Sequence, residues 1–531
     1  MSYVTGSNSL KVGYGGVALV SDLENHSNDL NLAYTLSNGT PISLTQSLLP
    51  FTTSYRTRNM AFYVQDQWTH GRMTLQGALR FDRNWSFSPE QQIPASAFLA
   101  TPINFPQTPG VTGYKDLSPR GGLAYDVFGN GKTSLKVNFG KYLEPTSNNN
   151  NYILSNPIGR IATTSSRSWT DNNGNFVPDC DLRNQAPQSP TTTGSIDTCG
   201  QGAATFGTTA LTTAAIDPKI LEGWGVRSND WQIGVSIQQQ VLPRVSIEAG
   251  YFRRWLNNFT VTDNLLVGPG DFTAYSITAP SDPRLPGGGN YAVNGLYNVV
   301  QSKFNQTSNN ITLASDFGEQ YQRYNGMLIN VSARLGAGLN VQGGINSGKT
   351  VQDNCAVRAQ LPELNIVAAG VSPAVGVGNP YCHSDPGFVT KLTALGSYSV
   401  PKVDVLFSGT FRSDQGAPLA ATWNAPVALV SAALGRPAAV VGNTVPINLV
   451  APGQVWGDRV NALDLRFAKI VRIRRTRNTI GLDIYNVTNS AAILTYNQTF
   501  NPAATTGSQA WLAPTSVLTP RFFKIGVQID F

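Results

Sequence analysis

Charge is scarce in this sequence. Only 13% of its 531 residues are Asp, Glu, Lys or Arg, about half the share of ordinary soluble domains. Long apolar runs are missing too: nowhere do about 18 apolar residues follow one another, which excludes a transmembrane helix. Hydrophobic residues nonetheless make up 41%, and mean hydropathy is −0.14. That combination suits a β-barrel in lipid, whose outer face cannot hold charge. Histidine is limited to His26 in a polar loop, His70 in a turn and His383 beside Cys382. A catalytic triad is poorly supplied, no G-x-S-x-G elbow has a usable partner, and an enzyme is not expected.

Cysteine is also sparse. Cys180 and Cys199 form one local pair, Cys355 and Cys382 another, each inside a Gly/Pro/Ser-rich stretch. Two local disulfides are the economical pairing, and they place the chain in an oxidising compartment. Zinc is the rival reading, but no C-x-x-C or H-x-x-x-H supports it. The opening "MSYVTGSNSLKVGYGGVAL" lacks a basic region followed by an apolar one, hence a secretory signal. For an exported chain this leads to the expectation that the sequence is the back portion of a longer one. The net charge of +7 is scattered. Its densest cluster, "RIRRTR" at Arg472 to Arg477, sits between two strand patterns and reads as a turn, so nucleic acid is not an expected partner.

What is plentiful is glycine (51), aromatic residues (10%) and alternation. "WQIGVSIQ" puts Trp231, Ile233, Val235 and Ile237 on one face; "SLKVNFG" does the same with Leu135, Val137 and Phe139. "MLINVSARL", "KVDVLFSGTFR", "ALDLRFA" and "TIGLDIYNV" repeat the pattern. The closing "RFFKIGVQIDF" gives Phe523, Ile525, Val527, Ile529 and Phe531. Periodicity alone does not separate a soluble sandwich from a lipid-facing barrel.

The connections do. Strands are paired by short turns near Gly71, Gly129, Pro243, Gly336 and Pro401. Between the pairs lie long Asn/Thr/Gly/Pro-rich stretches at 87–116, 144–226, 258–320, 351–387, 415–457 and 489–518. Loops this long are uncommon in compact soluble domains. Short turns alternating with long loops are the layout of an outer-membrane barrel, with turns in the periplasm and loops outside. Both cysteine pairs fall on the loop side. Trp68, Trp85, Tyr142, Trp231 and Trp255 cluster near strand ends, as interfacial girdles require. The loops hold little apolar sequence with which to close a soluble core. About fifteen strands are expected, the first near Leu10 to Leu19, and the odd number again points to N-terminal strands outside this sequence.

"AFYVQDQW" (Ala61 to Trp68) with "LQGALRFD" (Leu75 to Asp82) resembles a paired-strand signature of TonB-dependent outer-membrane receptors. "DLSPRGGLAYDVFGNGKTSLKVNFGKY" (Asp116 to Tyr142) is similar to the hairpin that follows it. "LDLRFAK", "LDIYNVTN" and "PRFFKIGVQIDF" resemble the closing strands. The resemblance runs from Lys11 to Phe531 and is strongest to the large type with a carboxypeptidase-regulatory-like N-terminal domain. It implies an all-β, antiparallel transmembrane barrel of about 22 strands, of which this chain, 1–531, is the C-terminal part. It also implies an N-terminal plug and TonB-energised import of a scarce nutrient. No plug, TonB box or regulatory-like domain is present here, so TonB would be met only through a region outside this sequence. The strand ending at Phe531 resembles the signal read by the barrel assembly machinery.

Two motifs invite other readings. "GGINSGKT" fits a phosphate-binding loop through Gly343, Gly348, Lys349 and Thr350, but no helix follows it and no cofactor is expected. "TDNNGNFVPDCDL" offers oxygens at Asp171, Asn173, Asn175, Asp179 and Asp181. Calcium would take such a set, although Asn/Asp/Gly runs are also plain turn chemistry. The expected role is a receptor of the bacterial outer membrane, with lipid against its apolar face and an unidentified nutrient on its loops. A passive porin or surface-adhesive barrel is the alternative, and a secreted soluble β-protein such as a propeller a third. A sugar, a peptide or a chelate would suit the loops equally.

Overall fold

The computed structural model describes residues 1–209, 214–365, 378–473 and 475–530. Its frame is one 18-stranded sheet. The main members are β1 (Ser2–Thr5), β2 (Asn8–Asn25), β3 (Phe51–His70), β4 (Met73–Ser88), β5 (Gly113–Asp126), β6 (Thr133–Leu143), β7 (Asn229–Leu242) and β8 (Val245–Asn257). They continue as β9 (Tyr321–Leu335), β10 (Leu339–Asp353), β11 (Val389–Val400), β12 (Val405–Asp414), β13 (Val460–Ile473), β14 (Thr476–Tyr485) and β15 (Phe522–Asp530). Each pairs antiparallel with the next along the chain. The short segments Thr108–Pro109, Glu222–Trp224 and His383–Ser384 extend the sheet at its loop side. Among the described residues no pairing joins β15 to β1 or β2, so the wall has two open edges.

The alternation of short turns and long loops is present throughout. Gly71 adopts φ +54° in the β3–β4 turn, where a side chain is disfavoured. At β7–β8 Pro243 fixes the first corner, and Arg244 takes the left-handed second corner at φ +67°. In the β5–β6 turn Asp126 accepts from the backbone N–H of Gly129 at 3.0 Å and of Gly131 at 2.8 Å. "RIRRTR" is the β13–β14 hairpin end, with Arg472 across from Arg477 and paired to Asp404 at 2.7 Å. Arg474 and Phe531 lie outside the described residues.

Alternation sorts the wall into two faces. On β15, Phe523, Ile525, Val527 and Ile529 point outward and are 63%, 77%, 61% and 51% exposed. Phe62, Val64, Leu79, Ile237, Met327, Ile329, Phe407 and Leu482 continue that band around the sheet. A contiguous apolar face of this extent has no place in water. The opposite face carries Thr57, Asn59, Asp82, Asn84, Asp116 and Ser118.

Three expectations need correction. The first long strand is β2, from Asn8 to Asn25, with β1 before it, so it outruns the Leu10 to Leu19 reading at both ends. Residues 26–50 are a further long connection; they carry a hairpin, Leu32–Ser37 with Thr40–Ser47, on an Asn38-Gly39 turn at φ +50° and +83°. The loops are also not poor in apolar sequence, for they close several hydrophobic cores of their own. Each loop's apolar residues are few and unevenly spaced, but they meet those of other loops.

Candidate ligand-facing surface

The polar face of β7–β13 is concave. Alternate residues of successive strands line a cleft of about 590 Å³, among them Glu248, Asn330, Gln342, Thr393, Arg412 and Asp464. Ion pairs on the polar face of the wall include Arg80 with Asp82 at 2.8 Å on β4, Arg254 with Asp230 at 2.6 Å and Arg466 with Asp483 at 3.5 Å. Glu248, Arg412 and Asp464 of the cleft form none among the described residues. The arrangement offers hydrogen bonds and charges of both signs to a polar solute.

Above the wall, the loops form a cap. Residues 258–320, 415–459 and 486–521 share one core of Tyr275, Leu296, Trp423, Ile447, Phe500 and Trp511, with others. The strand Thr422–Pro426 pairs antiparallel with Thr444–Asn448 and parallel with Thr499–Phe500, which stitches two loops together. Arg436 clamps a third, donating to Asn298 Oδ1 and O at 2.9 Å each, to Val299 O at 3.2 Å and to Thr273 Oγ1 at 3.1 Å. Tyr291 and Tyr381 both donate to Leu449 O, at 2.9 and 2.8 Å.

A second body surrounds Cys180–Cys199. Trp169, Leu44 and this disulfide pack together, so the hairpin of residues 26–50 supports the loop of residues 144–228. Arg167 lies inside this body and donates to the carbonyls of Gly200, Asn184 and Ala186 at 2.7–2.9 Å. Burial works against ionised Asp197, but N–H donors from Asp179, Trp169 and Asn172 outweigh it and hold the carboxyl below its ordinary range. The second disulfide joins Cys355 to Cys382, at the ends of the loop that follows β10. Closing loops of 19 and 27 residues each stabilises by about 3 kcal/mol in the chain-entropy treatment.

The oxygens considered for calcium are engaged within their own turn. Asp171 accepts from the backbone N–H groups of Gly174, Asn175 and Phe176, and Asp179 Oδ2 accepts from the side-chain amides of Asn173 and Asn175. Amide N–H groups therefore face the carboxylate that a cation would need. "GGINSGKT" lies wholly inside β10, and Lys349 pairs with Asp385 at 2.6 Å. A helix does follow β10, at Cys355–Gln360, against the expectation. A phosphate cradle, however, needs a loop leading into the helix N-terminus, and Gly343 to Thr350 are strand. His383 Nδ1 sits 2.8 Å from Asp353 Oδ2.

Sequence reading missed the junction of wall and cap. Asp116 on β5 and Arg227 just before β7 are 0% and 3% exposed, with Arg227 Nη1 4.0 Å from Asp116 Oδ2. Arg227 also donates to Glu144 O and, at 3.3 Å, to Thr146 Oγ1, and lies 6.0 Å from the Tyr152 ring. Asp116 stands within the quoted "DLSPRGG", but its partner is remote in sequence and carries no motif.

One loop carboxyl gives a pH dependence. Glu363 Oε1 accepts from the Asn264 N–H at 3.2 Å, while Oε2 has no hydrogen-bond partner among the described residues. Burial, with a smaller push from Asp263, lifts Glu363 to about 7. A carboxyl whose folded pKa is raised binds its proton more tightly when folded, so local stability falls as pH climbs to about 7 and stays lowered above it. Below the ordinary carboxyl range both states are protonated and the effect vanishes. Hydrogen exchange in 260–264 and 355–364, corrected for intrinsic rate, is expected to be slower at about pH 5 than at about pH 8. Glu363→Gln is expected to flatten most of that difference.

The family model described as outer membrane beta barrel domain matches residues 2–360. No curated protein matches the chain. Among solved structures, the outer membrane transporter YddB from Escherichia coli is similar at 9% identity and TM-score 0.44, over 99% of this chain and 64% of that one. The ferric-catecholate import receptor Fiu from K12 E. coli gives 11% and 0.42, over 98% and 55%. The ferric yersiniabactin uptake receptor FyuA from Yersinia pestis gives 8% and 0.38, over 100% and 56%. The chain thus spans between about half and two thirds of the length of these structures.

Proposed function

Because the chain belongs to the outer membrane beta barrel domain family, we propose that it is the wall and outer cap of a receptor that captures a solute and imports it with TonB-supplied energy. The observation that carries this reading is the cap. Its loops are consolidated by a shared apolar core, an arginine clamp and two disulfides above a polar concave wall. A rigid, built surface over a polar cleft pre-organises a binding site and lowers the ordering penalty of capture. The resemblance of Asp116 to Tyr142 and of the closing strands to TonB-dependent receptors supports the same reading.

In this proposal the unit 1–531 supplies wall and cap, and the plug and TonB contact of such receptors are assigned to sequence outside it. The outward side chains of β15, Phe523, Ile525, Val527 and Ile529, together with Phe531, serve as the mark for the barrel assembly machinery. The test is depletion profiling of the culture medium by mass spectrometry, in cells with and without the gene. One solute is expected to disappear only when the protein is made, and to persist once an uncoupler collapses the proton gradient. Depletion that survives the uncoupler returns the barrel to a passive porin; no protein-dependent depletion overturns import.

A further inference from the structure

The outward face is apolar, yet basic side chains interrupt it at the loop-side ends of β3 to β10. Register places Arg83 directly across from Lys115, and Lys115 beside Trp224. Farther along the wall Lys141 faces Trp231, Trp231 faces Trp255, and Trp255 faces Arg323. One step deeper, Arg253 faces Asn325, which faces Lys349. These cations share one face and one end of the wall, with tryptophans set between them.

Some of them have local partners. Arg323 meets Glu319 at 3.7 Å and Lys349 meets Asp385 at 2.6 Å. Four do not: among the described residues Arg83, Lys115, Lys141 and Arg253 have no carboxylate within ion-pair distance. Arg83 and Arg253 lie instead over Trp85 and Trp255, at 5.9 and 6.0 Å. Glu222, across from Gly113 on the same face, accepts from Thr112 at 3.0 Å. On β11–β15 the outward strand positions at this end, such as Thr390, Leu392, Phe411, Leu463, Ile484 and Phe523, carry no Lys or Arg. Just outside the strands, Arg459 donates to Thr390 O and Ser413 Oγ, and Arg521 precedes β15.

A cation on a lipid-facing strand is tolerated near the interface and penalised toward the midplane, so these residues mark the headgroup level. Long basic side chains snorkel there, and Trp anchors the same layer. Unpaired cations at a headgroup layer call for anions, and phosphate is the anion that guanidinium and ammonium groups take best. We propose that the loop-side arc of β4–β8, with Arg83, Lys115, Lys141 and Arg253 as its cations, is a docking surface for phosphate-bearing lipid headgroups of the outer leaflet. This rests on the reading that the apolar face meets lipid and the loops lie outside.

The full-length protein is placed in phosphatidylcholine nanodiscs with and without bisphosphorylated lipid A, and retained lipid is counted by native mass spectrometry. Arg83→Gln/Lys115→Gln/Lys141→Gln/Arg253→Gln is expected to lower lipid A retention at least about tenfold, and high salt to erase the difference. Lys136→Gln/Lys391→Gln, on the concave face, is expected to change nothing. Equal retention by wild type and the fourfold variant overturns the proposal, as does displacement of lipid A by inorganic phosphate at matched ionic strength. Should the fourfold variant not fold, Arg83→Gln/Lys115→Gln is expected to give a partial loss, and no loss overturns it. Quenching of Trp231 and Trp255 by brominated lipid is read in parallel. Its absence would sink the lipid-facing reading itself, whereas quenching without lipid A preference sinks only the headgroup site.

Discussion

Arg227→Met is expected to unlatch the loop of residues 144–228 from the barrel wall, at a loss of about 3–5 kcal/mol in stability. The reason is what the substitution leaves behind. Asp116 is fully buried, and neither of its carboxylate oxygens has a hydrogen-bond partner among the described residues. Arg227, its ion-pair partner, is therefore the main charge that compensates it, with a smaller contribution from Lys141. Arg227 also ties Glu144 and Thr146, at the start of the loop, to its own end. Removing it strands a buried carboxylate and cuts the loop's base at once. Arg227→Met/Asp116→Leu is expected to recover most of the loss, because an apolar pair of similar volume often equals a buried ion pair. Thermal unfolding in detergent measures the cycle, and proteolysis within 144–228 localises it. A single-variant loss below about 1 kcal/mol would show that water or another group already neutralises Asp116.

Trp511→Ala is the second large effect. The ring is 4% exposed, makes an edge contact with Phe500 at 5.6 Å, and donates from Nε1 to Ala420 O at 2.9 Å. Truncation of a buried Trp costs about 3–5 kcal/mol through lost transfer and the cavity left behind. The expected phenotype is specific. Residues 258–320, 415–459 and 486–521 become protease-sensitive together, while the heat-modifiable gel mobility of the wall persists. Trp511→Phe keeps most of the apolar volume and is expected to lose only about 1 kcal/mol, for the hydrogen bond. If Trp511→Ala frees residues 486–521 alone, the loops are independent and the shared core is not what holds the cap.

The wall was legible because its information is local and repeated. Val235 and Ile237, or Phe523 and Ile525, declare a face within four residues, and a Pro or Gly turn marks where the face reverses. The cysteine pairs were legible for the same reason, since each lies within one loop. The hairpin of residues 26–50 was within reach as well: Asn38-Gly39 is the strongest short-range hairpin signal, but its strands are short and mostly polar. The cap was not legible. Trp423, Phe500 and Tyr275 show no period, and each finds its partners in another loop. Arg436, Arg227 and Asp116 likewise hold loops to one another and to the wall through contacts that no spacing rule reaches. The Asp171 run shows the converse: a ligand-like composition whose oxygens satisfy their own turn.

The shared core of the cap also sets an order of events. Arg284 bonds to Ala504 O across 220 positions of chain, and Tyr275 joins the same core as Trp511. Loop-closure entropy must be met before contacts of that range reward it, so this part of the molecule forms late. Until residues 486–521 arrive, the core formed by the earlier loops lacks Phe500 and Trp511. The cap is therefore completed only when the connection between β14 and β15 is in place.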